Sequence, residues 1–238
     1  MSNVISSRPV FAAASALLFA ASVALTIVWC ASMPAMGGMP MPGGWTMSMM
    51  WMRMPGQSWL GSAASFVGMW TVMMVAMMSP SLAPSLSRYR HGALMAIASA
   101  AYFIVWMLAG VAAFGAGAIL AVIEMRSQAV SRIVPLAAAV VVIIAATLQL
   151  TKWKSLQLSR CRDIHDVLPS TPFTALRHGV KLGVDCVRSC ANLMIILLVF
   201  GVMDLRVMAA ITAVITVERL APSVTRPVSK MTQRTQTR

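Results

Sequence analysis

The stretch that decides the fold is Ala93–Ile123, ALMAIASAAYFIVWMLAGVAAFGAGAILAVI, which contains no Asp, Glu, Lys or Arg. A bilayer core about 30 Å thick is crossed by about 20 apolar residues in a helix, so this run can cross it with room to tilt. Five further apolar runs flank it, at Val10–Cys30, Ala64–Ser81, Ile133–Leu150, Val187–Met203 and Leu205–Leu220. The pattern predicts an all-α fold, a polytopic transmembrane helical bundle of about six spans. Pro80 and Pro84 predict a broken final turn in the second span, because proline lacks the amide donor. Asp204 alone separates the last two runs, which predicts a helical hairpin.

The whole composition agrees. Of 238 residues, 59% are hydrophobic and 11% charged, with a mean hydropathy of +0.79, which excludes a water-soluble enzyme. Nineteen Lys and Arg against six Asp and Glu give a net charge of +13. Long apolar runs separate these cations, so they are read as membrane topology and no nucleic-acid partner is expected. With the N-terminus inside, the inner segments carry Arg8, Arg88, Arg90, seven cations from Lys152 to Arg188 and five from Arg219 to Arg238, fifteen in all. The outer segments carry Arg53, Arg126, Arg132 and Arg206. That bias predicts both termini in the cytoplasm and a multi-pass protein of a bacterial inner membrane.

The first apolar run follows Arg8, as a signal peptide would, but it exceeds the usual length and no small-x-small site follows Cys30, so it reads as an anchor. The expected organisation is an N-terminal anchor helix (1–31), a Met/Gly/Pro-rich external loop (32–62), a five-helix membrane bundle (63–221) with a cytoplasmic loop at about 151–186, and a basic tail (222–238). Four cysteines do not make a disulfide scaffold.

Nine of the 22 methionines fall in MPAMGGMPMPGGWTMSMMWMRM, Met33–Met54. Thioether sulfur is a soft, uncharged ligand suited to Cu(I) and survives where a free thiol would be oxidised. Gly and Pro exclude a regular helix here and predict a loop flexible enough to wrap an ion, with Met36, Met39 and Met41 as candidate ligands. The alternative is an interfacial loop anchored by Trp45, Trp51 and Trp59. In the second span Met69, Met73 and Met77 fall on one helical stripe and Met74 and Met78 on the next, which suits passage of a soft monovalent ion; equally, methionine fills irregular helix contacts.

The segment between the fourth and fifth spans holds Cys161, His165, His178, Cys186 and Cys190. Cys186 and Cys190 are spaced i, i+4 at the start of a span, so both sulfurs share a face, and Cys161 on a returning loop supplies a third thiolate for Cu(I), or for Zn(II) with a His. Gly179 and Gly183 read as a close-packing face. Asp185 and Glu218 are read as partners of nearby cations. No general acid–base pair, catalytic triad or phosphate loop is present, so no enzyme activity is expected.

Three segments, MWTVMMVAMMSPSLAP (Met69–Pro84), LQLTKWKSLQLSRCR (Leu148–Arg162) and the run from Gly179 through CVRSCANLM to ERLAP, together resemble a bacterial family of unknown function described as predicted metal-binding integral membrane proteins. Trp70, Met73, Ala76, Met77, Met78 and Pro80 match that family's second-span pattern. Its cysteine signature is matched by Cys161, Arg162, Cys186, Cys190, Leu193 and Met194. Gln157, Ser189 and Ala191 stand where the resemblance implies Cys, Cys and Trp, so two of five implied thiols are missing. The Met loop and M-x-x-x-M helix are also similar in chemistry, though not in fold, to eukaryotic high-affinity copper transporters. Two functions follow: capture and transfer of Cu(I) through Met and Cys ligands, or a non-catalytic accessory subunit docked on a large membrane enzyme or photosynthetic complex. A haem-ligating subunit is disfavoured, because all three His lie outside the spans.

Overall fold

The computed structural model describes residues 2–32, 38–42, 44–53, 56–89, 91–163 and 169–220. It is an all-α bundle: α1 (Ser2–Ser32), α2 (Trp59–Leu86), α3 (Gly92–Arg126), α4 (Gln128–Gln149), α5 (Lys152–Asp163), α6 (Pro172–Phe200) and α7 (Leu205–Leu220). A small antiparallel ribbon, β1 (Gly38–Met41) and β2 (Trp45–Ser48), lies between α1 and α2. Residues 13–32 of α1 and the helices α2, α3, α4 and α6 are long and apolar enough to cross a membrane. The expected sixth span, α7, has 16 residues, about 24 Å of helix, and falls short of a bilayer core by itself.

Capping explains where the helices start. Ser58 accepts from the Gly61 amide at 3.0 Å to open α2. Ser127 ends α3 and caps α4. Thr171 and Thr174 form a capping box around Pro172, the first residue of α6. Asp204 Oδ1 accepts from the amides of Arg206 at 2.8 Å and Val207 at 3.2 Å, opening α7 after a turn at Gly201, whose φ of 111° favours glycine. The helical hairpin expected at Asp204 is therefore present.

Three expectations are corrected. The second span does not break near its end: α2 continues through Pro80 and Pro84 to Leu86. The Ser79 hydroxyl donates to the Val75 carbonyl at 2.5 Å and that of Ser81 to Met78 at 2.9 Å, beside the amide that Pro80 lacks. Among its described residues the cytoplasmic loop expected at about 151–186 carries α5 and the first half of α6, so Cys186 and Cys190 sit in the middle of a 29-residue helix, not at the start of one. The Met-rich segment is not a flexible loop where it is described. Met39 pairs with Met47 and Met41 with Trp45 across the ribbon, and a 3-10 turn follows at Met49–Trp51.

This hairpin is seated on the ends of α3 and α4. Met41 and Met47 pack with Ala121. Trp45 Nε1 donates to the Ser131 carbonyl at 3.0 Å, and the Ser131 hydroxyl donates to the Pro42 carbonyl at 3.0 Å. Trp51 stacks on Phe66 with ring centres 5.1 Å apart and covers Gly117 so closely that a Cβ there would collide with the indole. Two-residue alternation in short Met- and Trp-containing segments is compatible with strand pairing, and the helix surface beneath supplies the burial that an isolated ribbon lacks.

The core runs along α2, α3 and α6. Helices α2 and α3 are antiparallel, with Phe66 against Phe114 and Trp70 against Gly110. Trp70 Nε1 donates to the Trp106 carbonyl at 2.9 Å. Helices α3 and α6 run side by side in the same direction: a Cβ on Gly179 would collide with the Ala98 carbonyl, and one on Gly183 would stand 2.8 Å from Val105 Cβ. The close-packing role expected of these glycines holds. Tyr89 Oη pairs with His178 Nδ1 at 2.6 Å and ties the α2–α3 turn to α6; burial pushes the Tyr89 phenol up, so it remains the hydroxyl partner.

Candidate sulfur site between the second, third and sixth helices

The antiparallel register that sets Trp70 against Gly110 brings Met78 level with Tyr102, and the parallel pairing of α3 with α6 brings Cys186 to the same level. All three side chains are fully buried. The Tyr102 hydroxyl donates to Cys186 Sγ at 3.0 Å, and Met78 Sδ lies 3.9 Å from that sulfur. One turn further along α6, on the same face of the helix, Cys190 is buried as well. Three sulfurs therefore meet in an apolar interior. A metal bonded to two sulfurs at about 2.3 Å with an angle near 120° would separate them by about 4.0 Å. The Met78–Cys186 distance already matches that separation.

Charged groups close the site on the α5 and α7 side. Arg219 Nη2 lies 3.8 Å from Cys190 Sγ and 3.5 Å from Ser189 Oγ. Lys154 Nζ donates to the Ser189 carbonyl at 2.5 Å and pairs with Glu218 at 3.1 Å, while Gln149 Nε2 donates to Glu218 Oε1 at 2.5 Å. The pairing expected for Glu218 is thus present, and it ties α5 and α7 to α6 beside the thiols. Were a monovalent cation held by both thiolates, net −1, Arg219 would supply the counter-charge that a low-dielectric interior requires.

The residues predicted from sequence divide into three groups. Cys186 and Cys190 are brought together. Met69, Met73 and Met77 are all buried in the same core cluster as the thiols, but the thioether that reaches a thiol belongs to Met78, on the neighbouring stripe. Met39 and Met41 are held in the hairpin; Met36 and His165 lie outside the described residues. Cys161 lies in the last turn of α5, a helix rather than the returning loop expected of it, and its side chain is outside the described atoms. Ser189, where the resemblance implies a third cysteine, stands in the site, with its hydroxyl 3.7 Å from Cys190 Sγ.

The sequence reading did not select Met78, Tyr102 and Arg219 as site residues. The available signal was Tyr102, a phenol in a charge-free run that must find a partner when buried. Among the described residues no three His, Cys, Asp or Glu side chains converge, so the site is recognised only when methionine is counted as a ligand.

Two thiols and a thioether, buried and faced by a guanidinium, are a donor set that suits a soft metal ion within a helical bundle. The copper chaperone family PpoB2 matches residues 67–234, and the chain belongs to it. The metal is therefore copper, and the looser resemblance to a metal-binding family is narrowed accordingly. The chain matches no curated protein and no solved structure.

Proposed function

We propose that the protein is an integral membrane copper chaperone that holds Cu(I) on Cys186, Cys190 and Met78 and catalyses no reaction. The observation that carries this reading is the meeting of Met78 Sδ and Cys186 Sγ at 3.9 Å, with Cys190 beside them, in a chain of a copper chaperone family. Thioether and thiolate favour Cu(I) over harder ions. Tyr102 orients the Cys186 sulfur, and Arg219 balances the charge of the loaded site.

The membrane setting rests on the five long apolar helices and on the distribution of cations. Arg53, Arg126, Arg132 and Arg206 fall at the hairpin end of the bundle, and Lys152, Lys154, Arg177 and Lys181 toward the other, which the positive-inside rule assigns to the cytoplasm of a bacterial inner membrane. Copper is captured on the outer Met-rich segment and passed along Met69, Met73 and Met77 toward the thiols. The test is anaerobic Cu(I) titration of the purified protein against a chromogenic Cu(I) chelator. Cys186→Ser/Cys190→Ser should lose a copper that the wild type binds; unchanged binding in that variant would sink the reading.

A second reading is an accessory subunit of a larger membrane assembly, favoured by the broad apolar face of α4, where Ile133, Leu136, Ile143 and Ile144 are exposed. It expects a metal-free chain that purifies from native membranes in fixed ratio with a large complex.

A further inference from the structure

A second pair of sulfurs stands at the hairpin end of the bundle. The Cys30 thiol, in the last turn of α1, donates to Met203 Sδ at 3.6 Å across a sequence separation of 173 residues. Cys30 is buried, and Met203 is half-buried. We propose that Cys30 and Met203 form a separate Cu(I) site at the hairpin end of the bundle.

Three observations carry it. The first is geometry. Two sulfurs sharing a tetrahedral metal at about 2.3 Å stand about 3.8 Å apart, so this pair needs little movement to share an ion. The second is preorganisation. Met203 sits in the four-residue turn between α6 and α7, fixed on one side by Gly201 at φ 111° and on the other by the Asp204 cap, so its sulfur is presented by a rigid loop. The third is charge. Binding proceeds as Cu⁺ plus the Cys30 thiol giving a copper thiolate and a proton released to water, with Met203 adding a neutral thioether. The product carries no net charge and needs no cation beside it, unlike the dithiolate site, which faces Arg219.

Cys30 comes from α1, which lies outside the residues 67–234 that the family model matches. Cys30 and Cys186 belong to one continuous buried cluster that also contains Met69, Met73 and Met77. Buried thioethers thus lie in the same cluster as the thiols of both sites. The proposal rests on the reading of the protein as a Cu(I) carrier but not on the identity of the Cys186 site.

The test is Cu(I) titration of the full chain in detergent, without oxygen, against a chromogenic Cu(I) chelator. Wild type should take up two coppers, Cys30→Ser one, Cys186→Ser/Cys190→Ser one, and the triple variant none. The near-isosteric Met203→Leu should fold normally and weaken the Cys30-dependent copper by about tenfold or more, about 1.4 kcal/mol, read in the Cys186→Ser/Cys190→Ser background. In that background one proton should be released per copper bound. Wild-type stoichiometry in Cys30→Ser, or wild-type affinity in Met203→Leu, overturns this site. Loss of copper in Cys30→Ser alone, with none lost in Cys186→Ser/Cys190→Ser, overturns the inner site and leaves this one standing. Should Cys30→Ser fail to fold, Met203→Leu decides.

Discussion

The Tyr102 hydroxyl donates to Cys186 Sγ at 3.0 Å from a helix that runs parallel to the one carrying the thiol, at the level where Met78 approaches the same sulfur from the other side. A buried sulfur with a donor on one side and a thioether on the other is positioned before any metal arrives. The site needs α2, α3 and α6 in register to exist at all.

Met78→Leu keeps the volume of the core and should change stability by less than about 1.5 kcal/mol. It removes the thioether, so Cu(I) affinity of the Cys186 site should fall by about tenfold or more, while Met73→Leu leaves it within about threefold. Competition titration against a Cu(I) chelator distinguishes the two. Equal losses in both variants would mean that the column acts as a unit and that Met78 is not the ligand.

Tyr102→Phe retains the ring, which packs edge-on against Phe103 with centres 5.1 Å apart, and deletes only the donor to Cys186. The cost should be about 1 kcal/mol of stability, seen as a lowered thermal midpoint in detergent. Cu(I) uptake should persist with weaker affinity, because the sulfur is retained but no longer held.

Gly179→Ala places a methyl group against the Ala98 carbonyl, and Gly183→Ala places one 2.8 Å from Val105 Cβ. Backbone carbonyls cannot move aside as a side chain can, so Gly179→Ala should be the more damaging, by about 1–3 kcal/mol. Pushing α6 from α3 also separates Tyr102 from Cys186, so copper affinity and stability should fall together. A Gly179→Ala protein with wild-type melting would contradict the packing.

Lys154→Met removes the cation that holds both the Ser189 carbonyl and Glu218. Glu218, only partly exposed, loses an ion-pair partner that stands 3.1 Å away, and the loss should be about 3 kcal/mol. Lys154→Met/Glu218→Met should recover much of it, since both members of that pair are then replaced; denaturation of the two variants side by side measures the difference.

Ser131→Ala deletes the hydroxyl that fastens the Pro42 carbonyl while leaving the Trp45 bond to the backbone carbonyl in place. The hairpin should loosen without unfolding of the bundle. Limited proteolysis should then cut between residues 33 and 54 several times faster than in wild type, with the helical signal unchanged.

Apolar run length by itself determined that the chain folds as long helices, because a stretch such as Ala93–Ile123 has no charged side chain with which to make a soluble surface. The hairpin turn at Asp204 and the small-residue pair at Gly179 and Gly183 were legible for the same reason: each depends on local chemistry. The i, i+4 spacing likewise put Cys186 and Cys190 on one face. Other features could be decided only by the tertiary structure. Helix α2 passes through Pro80 and Pro84, where sequence alone predicts an end, because its buried face packs into the bundle on either side of them. The Met-rich segment becomes a ribbon because the ends of α3 and α4 bury it. Met78, rather than the stripe of Met69, Met73 and Met77, meets the thiol, and Cys30 meets Met203, because those pairings depend on the register between helices. Helical periodicity fixes which side chains share a face; only the interlocking of side chains at Trp70 with Gly110, and at Gly179 with Ala98, fixes what that face meets.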